Sequence, residues 1–359
     1  AKSLLREGIE QGAVGMSTGL GFFPAAYASM EELVELTSVV ADMNGVFVIQ
    51  FRFFNGDRAE GFGPVAEALE IARRSGVKLH IAHYRTRPDN PGETGPMMDE
   101  LDRAMVDGVD LSLDVYPYPC GSTMPLCRFP GWFVEGGSDA IMARLRDPAD
   151  RARAIEFLEE TNGEALGHTL WSYIRSEKNR HLEGMSWFDV AADRGTSVAE
   201  MMCDVLLEEN LECGLAVLPP LSMSIWRQIE SDVMRLLERE DYMVGSDSIP
   251  LGSSPHPRAF GTYPRILGRL RRRTETPLEQ LIQRMTSNPA RRFGLTGRGE
   301  VKAGNFADLV VFDEARINDQ SSFEDPRAQS AGIHHVLVNG ELALENEQLT
   351  GVIAGEAIP

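Results

Sequence analysis

The sequence predicts an α/β chain built on a parallel sheet, a TIM-like (β/α) barrel incomplete on its N-terminal side, with a small β unit at the C-terminal end. Three observations predict it. Short apolar, partly β-branched runs alternate with amphipathic helical stretches, the strand, helix, strand rhythm of βαβ units, whose crossovers are nearly always right-handed. Residues able to do chemistry fall at the C-terminal ends of those runs, where parallel sheets and barrels carry their sites. Towards the C-terminus the rhythm gives way to strand material with a hairpin signal, which belongs to another kind of sheet.

Composition sets the outer limits. A chain of 359 residues exceeds what a single barrel needs, so we expect a barrel over 1–298, an inserted excursion at about 133–195, and a β unit over 299–359. A net charge of -19 without any basic cluster excludes nucleic acid and anionic membrane surfaces as partners. An anionic substrate must then be met by local cations. No apolar run is long enough to span a bilayer, and the opening residues read as an amphipathic helix rather than a secretory signal, so the expected location is the cytoplasm. Cys120, Cys127, Cys203 and Cys213 show no Cys-x-x-Cys spacing and read as free thiols of a reducing compartment. The chain starts inside a helix without an initiator methionine, which suggests that a further piece precedes Ala1.

Taken in order, Gly12 to Leu20 alternates small and apolar residues like a tightly packed strand ending in a glycine turn. Ser29, with Glu32 three residues on, starts a capped helix running to about Asn44. Gly45 to Arg52 is a strand whose end carries Gln50 and Arg52 on one face. A helix from about Arg58 to Ser75 leads into Val77-Lys-Leu-His-Ile-Ala-His-Tyr-Arg85, the most informative strand. His80 and His83 stand an odd number of steps apart and so point to opposite faces, while His83 and Arg85 point together. His83, at the C-terminal end, is the site candidate: a neutral imidazole can ligate a metal, and Arg85 can hold a substrate carboxylate beside it. His80 is expected to pack, and for His83 the alternative is a core histidine bonded to a backbone carbonyl.

A helix from about Met97 to Asp107 precedes the strand Val109 to Tyr118, broken by Pro117 and followed by a Pro/Gly-rich loop at the site end. The rhythm then lapses into charged helical segments from Phe133 to Gly195, read as the excursion covering the site. It resumes with helix Val198 to Glu208, strand Cys213 to Leu218, helix Met223 to Glu238 and strand Asp241 to Asp247, giving about six strands where a closed barrel has about eight. Asp247, at the last strand's end, can act as general base or metal ligand, its alternative being a helix cap or turn residue. Helices follow around Tyr263 to Arg273, Pro277 to Met285 and Asn288 to Gly294. Gly304 to Asp313 and Gly332 to Leu342 then read as an antiparallel β unit with an Asn339-Gly340 hairpin, and His334 and His335 as surface or packing residues.

These residues resemble the N-acyl-D-amino-acid deacylases, or D-aminoacylases, of the metal-dependent amidohydrolase superfamily. The resemblance rests on Gly12-Ala-Val-Gly-Met-Ser-Thr-Gly-Leu20, Ile81-Ala-His-Tyr-Arg85, Asp114-Val-Tyr-Pro-Tyr118 with Gly121-Ser122, Val244-Gly-Ser-Asp247 and His256-Pro-Arg-Ala-Phe-Gly-Thr-Tyr-Pro-Arg265. Asn288-Pro-Ala-Arg-Arg-Phe-Gly294 and Phe306-Ala-Asp-Leu-Val-Val-Phe-Asp313 add to it but occur across the superfamily.

The resemblance implies a distorted (β/α)8 barrel joined to a small β-sandwich. It implies one or two zinc ions held by His83 and approached by a catalytic Asp247. Gln50 falls at a family histidine position, and a Gln amide oxygen is a poorer zinc ligand than an imidazole. Arg85 takes the place of a carboxylate-holding basic residue, more often lysine, and Tyr116, Ser122 and Arg258 match further carboxylate-binding positions. Phe22 stands where a substrate-contacting tyrosine is common, and the family's His-x-His strand and cysteine ligand lie upstream of anything present here. The implied reaction is hydrolysis of an N-acyl-D-amino acid, by metal-activated water with Asp247 as base, acting on a small carboxylate-bearing substrate. The alternatives are cyclic amide hydrolysis of the hydantoin or dihydropyrimidine type, and a catalytically silent barrel acting as a binding protein.

Overall fold

The computed structural model describes residues 1–52, 63–162 and 166–358. Strands β1 (Gly15–Gly19), β2 (Val46–Gln50), β3 (Lys78–Ile81) and β4 (Leu111–Val115) follow one another with a helix in each gap. They pair in parallel and in sequence order, and a later strand, Tyr242–Val244, adds to β4 in the same direction. The first helix of this series starts as expected, with the Ser29 side chain accepting from the Glu32 N–H at 3.1 Å. The expected helix from Arg58 is described from Pro64 on, and its first residues lie outside the described ones.

Register decides which side chains share a face of this sheet. Phe47, Ile49, Leu79, Ile81, Leu113, Val115 and Tyr242 lie on one face, and all are buried in the principal core beneath the helices. The other face aligns Ser17, Val48, His80 and Ser112, then Gly19 with Gln50 and Asp114 with Met243. It is the polar face. The strand order is that of an open sheet of five, so the six-strand count is corrected by one.

The strand to be removed is Cys213–Val217. With β5 (Ser122–Thr123) and β6 (Thr169–Ile174) this strand, β7, forms a separate sheet, and both of its pairings are antiparallel. A short continuous apolar run has the same periodicity in either setting, so the sequence pattern could not separate them. This unit has its own hydrophobic core, gathered from Phe129 to Leu215, and so extends on both sides of the excursion expected at 133–195. It also contains β6, which the reading of that stretch as helical missed.

The parallel sheet's last member, Tyr242–Val244, is β8. Beyond it, β9 (Leu309–Phe312), β10 (Ile333–Val338), β11 (Glu341–Glu345) and β12 (Gln348–Leu349) form the antiparallel C-terminal unit. Its hairpin turns at Asn339 and Gly340, with φ of 49° and 87°, the left-handed pair that an Asn-Gly turn supplies. No helix among the described residues is long and apolar enough to cross a membrane.

A buried ion cluster ties these parts together. Arg265 pairs with Asp319 at 2.8 Å and with Glu230, while Arg269 and Arg273 add further cations to the same two carboxylates. The cluster joins helix Met223–Leu237, helix Arg258–Arg265 and the connection between β9 and β10 of the C-terminal sheet. Removing one member of a buried pair leaves uncompensated charge. Arg265→Ala is therefore expected to cost about 3–5 kcal/mol, read from urea denaturation, and an unchanged midpoint would show that the cluster does not hold the fold.

Candidate active site

The site is assembled on the polar face of the sheet, at the C-terminal ends of β2, β3, β4 and β8. Asp114 is its fixed point. One carboxylate oxygen accepts the His83 backbone N–H at 2.7 Å, and the other accepts His80 Nε2–H at 3.0 Å. His80 Nδ1 in turn receives the Ser112 hydroxyl at 2.7 Å, so the ring is buried with both nitrogens engaged. This corrects the expectation that His80 merely packs. Strand β3 ends at Ile81, and His83 turns to a φ of 40°, so the alternation that opposed the two histidines does not reach His83. Both are tied to Asp114, one through its ring and the other through its backbone.

The neighbouring strand makes room for that carboxylate. A side-chain carbon on Gly245 would come within 3.0 Å of Asp114 Cγ and Oδ1. Two residues later Asp247 leaves β8 with a φ of 48°, its carboxylate two-fifths exposed. Asp247 pairs with the buried guanidinium of Arg258 at 2.8 Å, and the same nitrogen donates to the Ser122 carbonyl at 3.0 Å. Burial holds the His83 imidazole below its ordinary pKa, against the opposing pull of Asp247 and Asp114, and keeps it neutral near pH 7.

Tyr116 is the wall of the site. Arg85 and Arg258 each place the guanidinium carbon 4.6 Å from its ring centre, and the His83 ring lies 6.2 Å away. Gly121 is required here, because a side-chain carbon would come within 2.9 Å of the Tyr116 hydroxyl. Arg85 donates to the Thr86 carbonyl at 2.9 Å, and its buried Nε has no partner. The structure thus brings together His83, Arg85, Tyr116, Asp247 and Arg258. Ser122 lies beside Arg258, but its hydroxyl donates to the Leu215 carbonyl at 2.6 Å, and its backbone carbonyl is what faces the guanidinium. Gln50 ends β2 next to β1, with Oε1 3.4 Å from where a side-chain carbon on Gly19 would stand.

Three further residues went unnoticed as site builders: His80, Asp114 and His256. Asp114 had a signal, since Ser112, Asp114 and Tyr116 put a polar or amphipathic group on every second position of an otherwise apolar strand. His256 is buried, accepts the Arg258 N–H on Nδ1 at 3.1 Å and lies 3.5 Å from the Cys120 sulfur. Burial pushes the Cys120 thiol up to about 12, so it is a neutral group rather than a thiolate ligand.

Zinc needs three or four donors. His83 and Asp247 have the right chemistry, yet no group of three or more His, Cys, Asp or Glu able to hold a metal is present among the described residues. These residues therefore do not by themselves make a zinc site.

Carboxylate, imidazole and guanidinium groups thus converge at the strand ends of a parallel α/β sheet, where such sheets carry their sites. Residues 214–343 match the family model described as Amidohydrolase family. Over nearly its whole length the chain is similar to the D-aminoacylases. It is 32% identical to the D-aminoacylase of Alcaligenes xylosoxydans xylosoxydans over 360 residues, covering 99% of this chain and 63% of that protein. It is 33% identical to the N-acyl-D-glutamate deacylase of the same organism over 339 residues, covering 94% of this chain and 59% of that one. Among solved structures, an N-acyl-D-glutamate deacylase from Bordetella bronchiseptica, bound to zinc and a phosphonate mimic of the tetrahedral intermediate, superposes with a TM-score of 0.74 at 28% identity. That match covers 99% of this chain and 65% of the other. The chain thus spans less than two thirds of the length of these relatives.

Asp114→Ala would strand the His80 Nε2–H and the His83 N–H, both expensive to leave unmet. We expect a loss of about 2–4 kcal/mol in stability by urea denaturation. A cost near zero would mean that Asp114 is not the fixed point.

Proposed function

We propose that this chain carries the substrate-recognition and proton-transfer groups of an N-acyl-D-amino-acid deacylase, which hydrolyses the amide to a carboxylate and a D-amino acid. The carrying observation is the pair of guanidiniums on the Tyr116 ring, each with a buried Nε that has no partner, gathered with a carboxylate and an imidazole. Kinship to a D-aminoacylase and to an N-acyl-D-glutamate deacylase supports the same reading. So does the inside-polar, outside-apolar sheet, which we read as an arc of an eight-stranded barrel.

Arg85 receives the substrate α-carboxylate. Its planar fork is suited to a carboxylate, each charge-assisted contact being worth about 1.5–3 kcal/mol. The Tyr116 ring packs against both guanidiniums and so helps to position them. Arg258 holds Asp247 in place, and Asp247 takes a proton from the attacking water and returns it to the nitrogen as the C–N bond breaks. Zinc is present in the related Bordetella structure. The described residues lack a donor set for it, and the steps assigned here belong to this chain's own side chains. Four buried free cysteines suit a cytoplasmic enzyme.

The same shortage of donors favours a second reading, a chain that binds N-acyl amino acids without turning them over. One experiment separates the two. The 359-residue chain is titrated with N-acetyl-D-leucine and N-acetyl-L-leucine by calorimetry, and free amine is measured over time with and without added zinc. D-selective binding with amine release supports the deacylase, and binding without release the second reading. Turnover of a hydantoin but not of either acyl amino acid overturns both.

Two variants test the roles. Arg85→Ala is expected to weaken binding on the order of ten- to a hundredfold, through KM or Kd rather than kcat. Asp247→Asn should lower kcat about a hundred- to ten-thousandfold with binding largely kept, and equal loss of binding would remove its role as base.

A further inference from the structure

Arg258 opens the helix Arg258–Arg265, and Pro257 precedes it. A first-turn backbone N–H has no partner within its own helix. Here the partner is a side chain two residues upstream: His256 Nδ1 accepts the Arg258 N–H at 3.1 Å. A backbone N–H can only donate, so Nδ1 carries the lone pair and the ring proton sits on Nε2, 3.5 Å from the Cys120 sulfur. Aromatic edges close the pocket, with Tyr118 at 5.3 Å and Phe323 at 5.1 Å from the imidazole centre. Tyr118 lies beneath the Arg265 guanidinium, 4.5 Å from its ring centre.

We propose that His256 is a positioning residue: as a neutral, Nε2-protonated acceptor it fixes the start of the Arg258 helix, and so aims that guanidinium at Asp247 and the Ser122 carbonyl. The inference rests on the reading of Arg258 and Asp247 as working groups of the site. It adds the reason why their pairing has one geometry. Arg258 is buried, so a shift of its backbone cannot be absorbed by a swing of the side chain through solvent. Burial, together with the cations of Arg258, Arg85 and Arg265, holds the imidazole well below its usual pKa, consistent with an acceptor that stays uncharged.

The test uses the full chain. Nitrogen-15 NMR of the wild-type protein is expected to show a neutral, Nε2-protonated His256, and an Nδ1-protonated or cationic ring overturns the proposal. In His256→Asn, Oδ1 can replace Nδ1 as acceptor, whereas His256→Leu fills the space without one. The Arg258 guanidinium signals, identified by their loss in Arg258→Lys, should stay protected from exchange in the Asn variant and lose protection in the Leu variant. KM for N-acetyl-D-leucine should rise about tenfold in the Leu variant and stay within about threefold in the Asn variant, with kcat less affected. Unchanged Arg258 signals and KM in the Leu variant overturn the proposal. If the wild-type chain turns over no substrate, the deacylase reading fails while the tautomer and the exchange data still decide the role of His256.

Discussion

The interaction on which the site depends is the hydrogen bonding of one carboxylate, Asp114. It stands at the end of β4 and reaches back across β3, accepting from the His80 ring and from the His83 backbone. The second of these bonds holds His83 in a left-handed conformation, with φ of 40°, uncommon for a residue with a side chain. With the Tyr84 N–H donating to the Asp114 carbonyl at 3.0 Å, it fixes the turn of the chain after Ile81. The turn decides where the His83 ring and the Arg85 guanidinium stand relative to Tyr116, so a bond below the site sets the geometry above it.

A second constraint is electrostatic. Arg258 is a buried cation, and a buried charge is tolerated only when its partners satisfy it. Asp247, the Ser122 carbonyl and the Tyr116 ring share that task, each on a different element. Asp247 remains partly exposed, so it can meet a water or a substrate while one edge stays anchored. Arg85 has fewer partners, one backbone carbonyl and the same aromatic face, and the buried Nε of both guanidiniums is unmet. Arg258 has a carboxylate partner, whereas Arg85 has none among the described residues.

How much of this the sequence could tell depends on the range of each interaction. The helix starting after Ser29, the Asn339-Gly340 hairpin and β2, β3 and β4 are local patterns, and each was legible. His83, Arg85 and Asp247 are singled out by the positional rule for strand ends, whereas Tyr116 and Arg258 come only from the family resemblance. The setting of β7 was not, because an apolar run of five residues carries no record of whether its neighbours run parallel or antiparallel. The role of His80 was missed for a related reason: strand alternation was carried two residues past the point where β3 ends. Ser122, expected from the resemblance among the carboxylate-binding residues, lies beside Arg258 with its hydroxyl spent on Leu215, a partner 93 positions away that no local pattern announces.

The loop from Asp247 to Arg258 shows why such long-range partners matter for function. It has no regular structure before the helix that Arg258 opens, yet it must deliver both members of an ion pair to one point. Two distant parts of the chain hold it. Glu183, from the unit with the separate core, accepts the Ser253 N–H at 2.7 Å and its hydroxyl at 2.6 Å while also capping the Ile174 N–H at 2.8 Å. Arg327 donates to the carbonyls of Pro250 and Gly252 at 2.8 and 2.6 Å, and Ser321 to that of Pro257 at 3.1 Å. Ordering a loop costs conformational entropy for every residue fixed, and these bonds offset it at both ends and in the middle. The unit from Ser122 to Val217 and the segment before β10 are therefore not mere appendages of the sheet. They set the backbone between the acid and its guanidinium, so the exposed Asp247 carboxylate keeps one position despite lying on a loop.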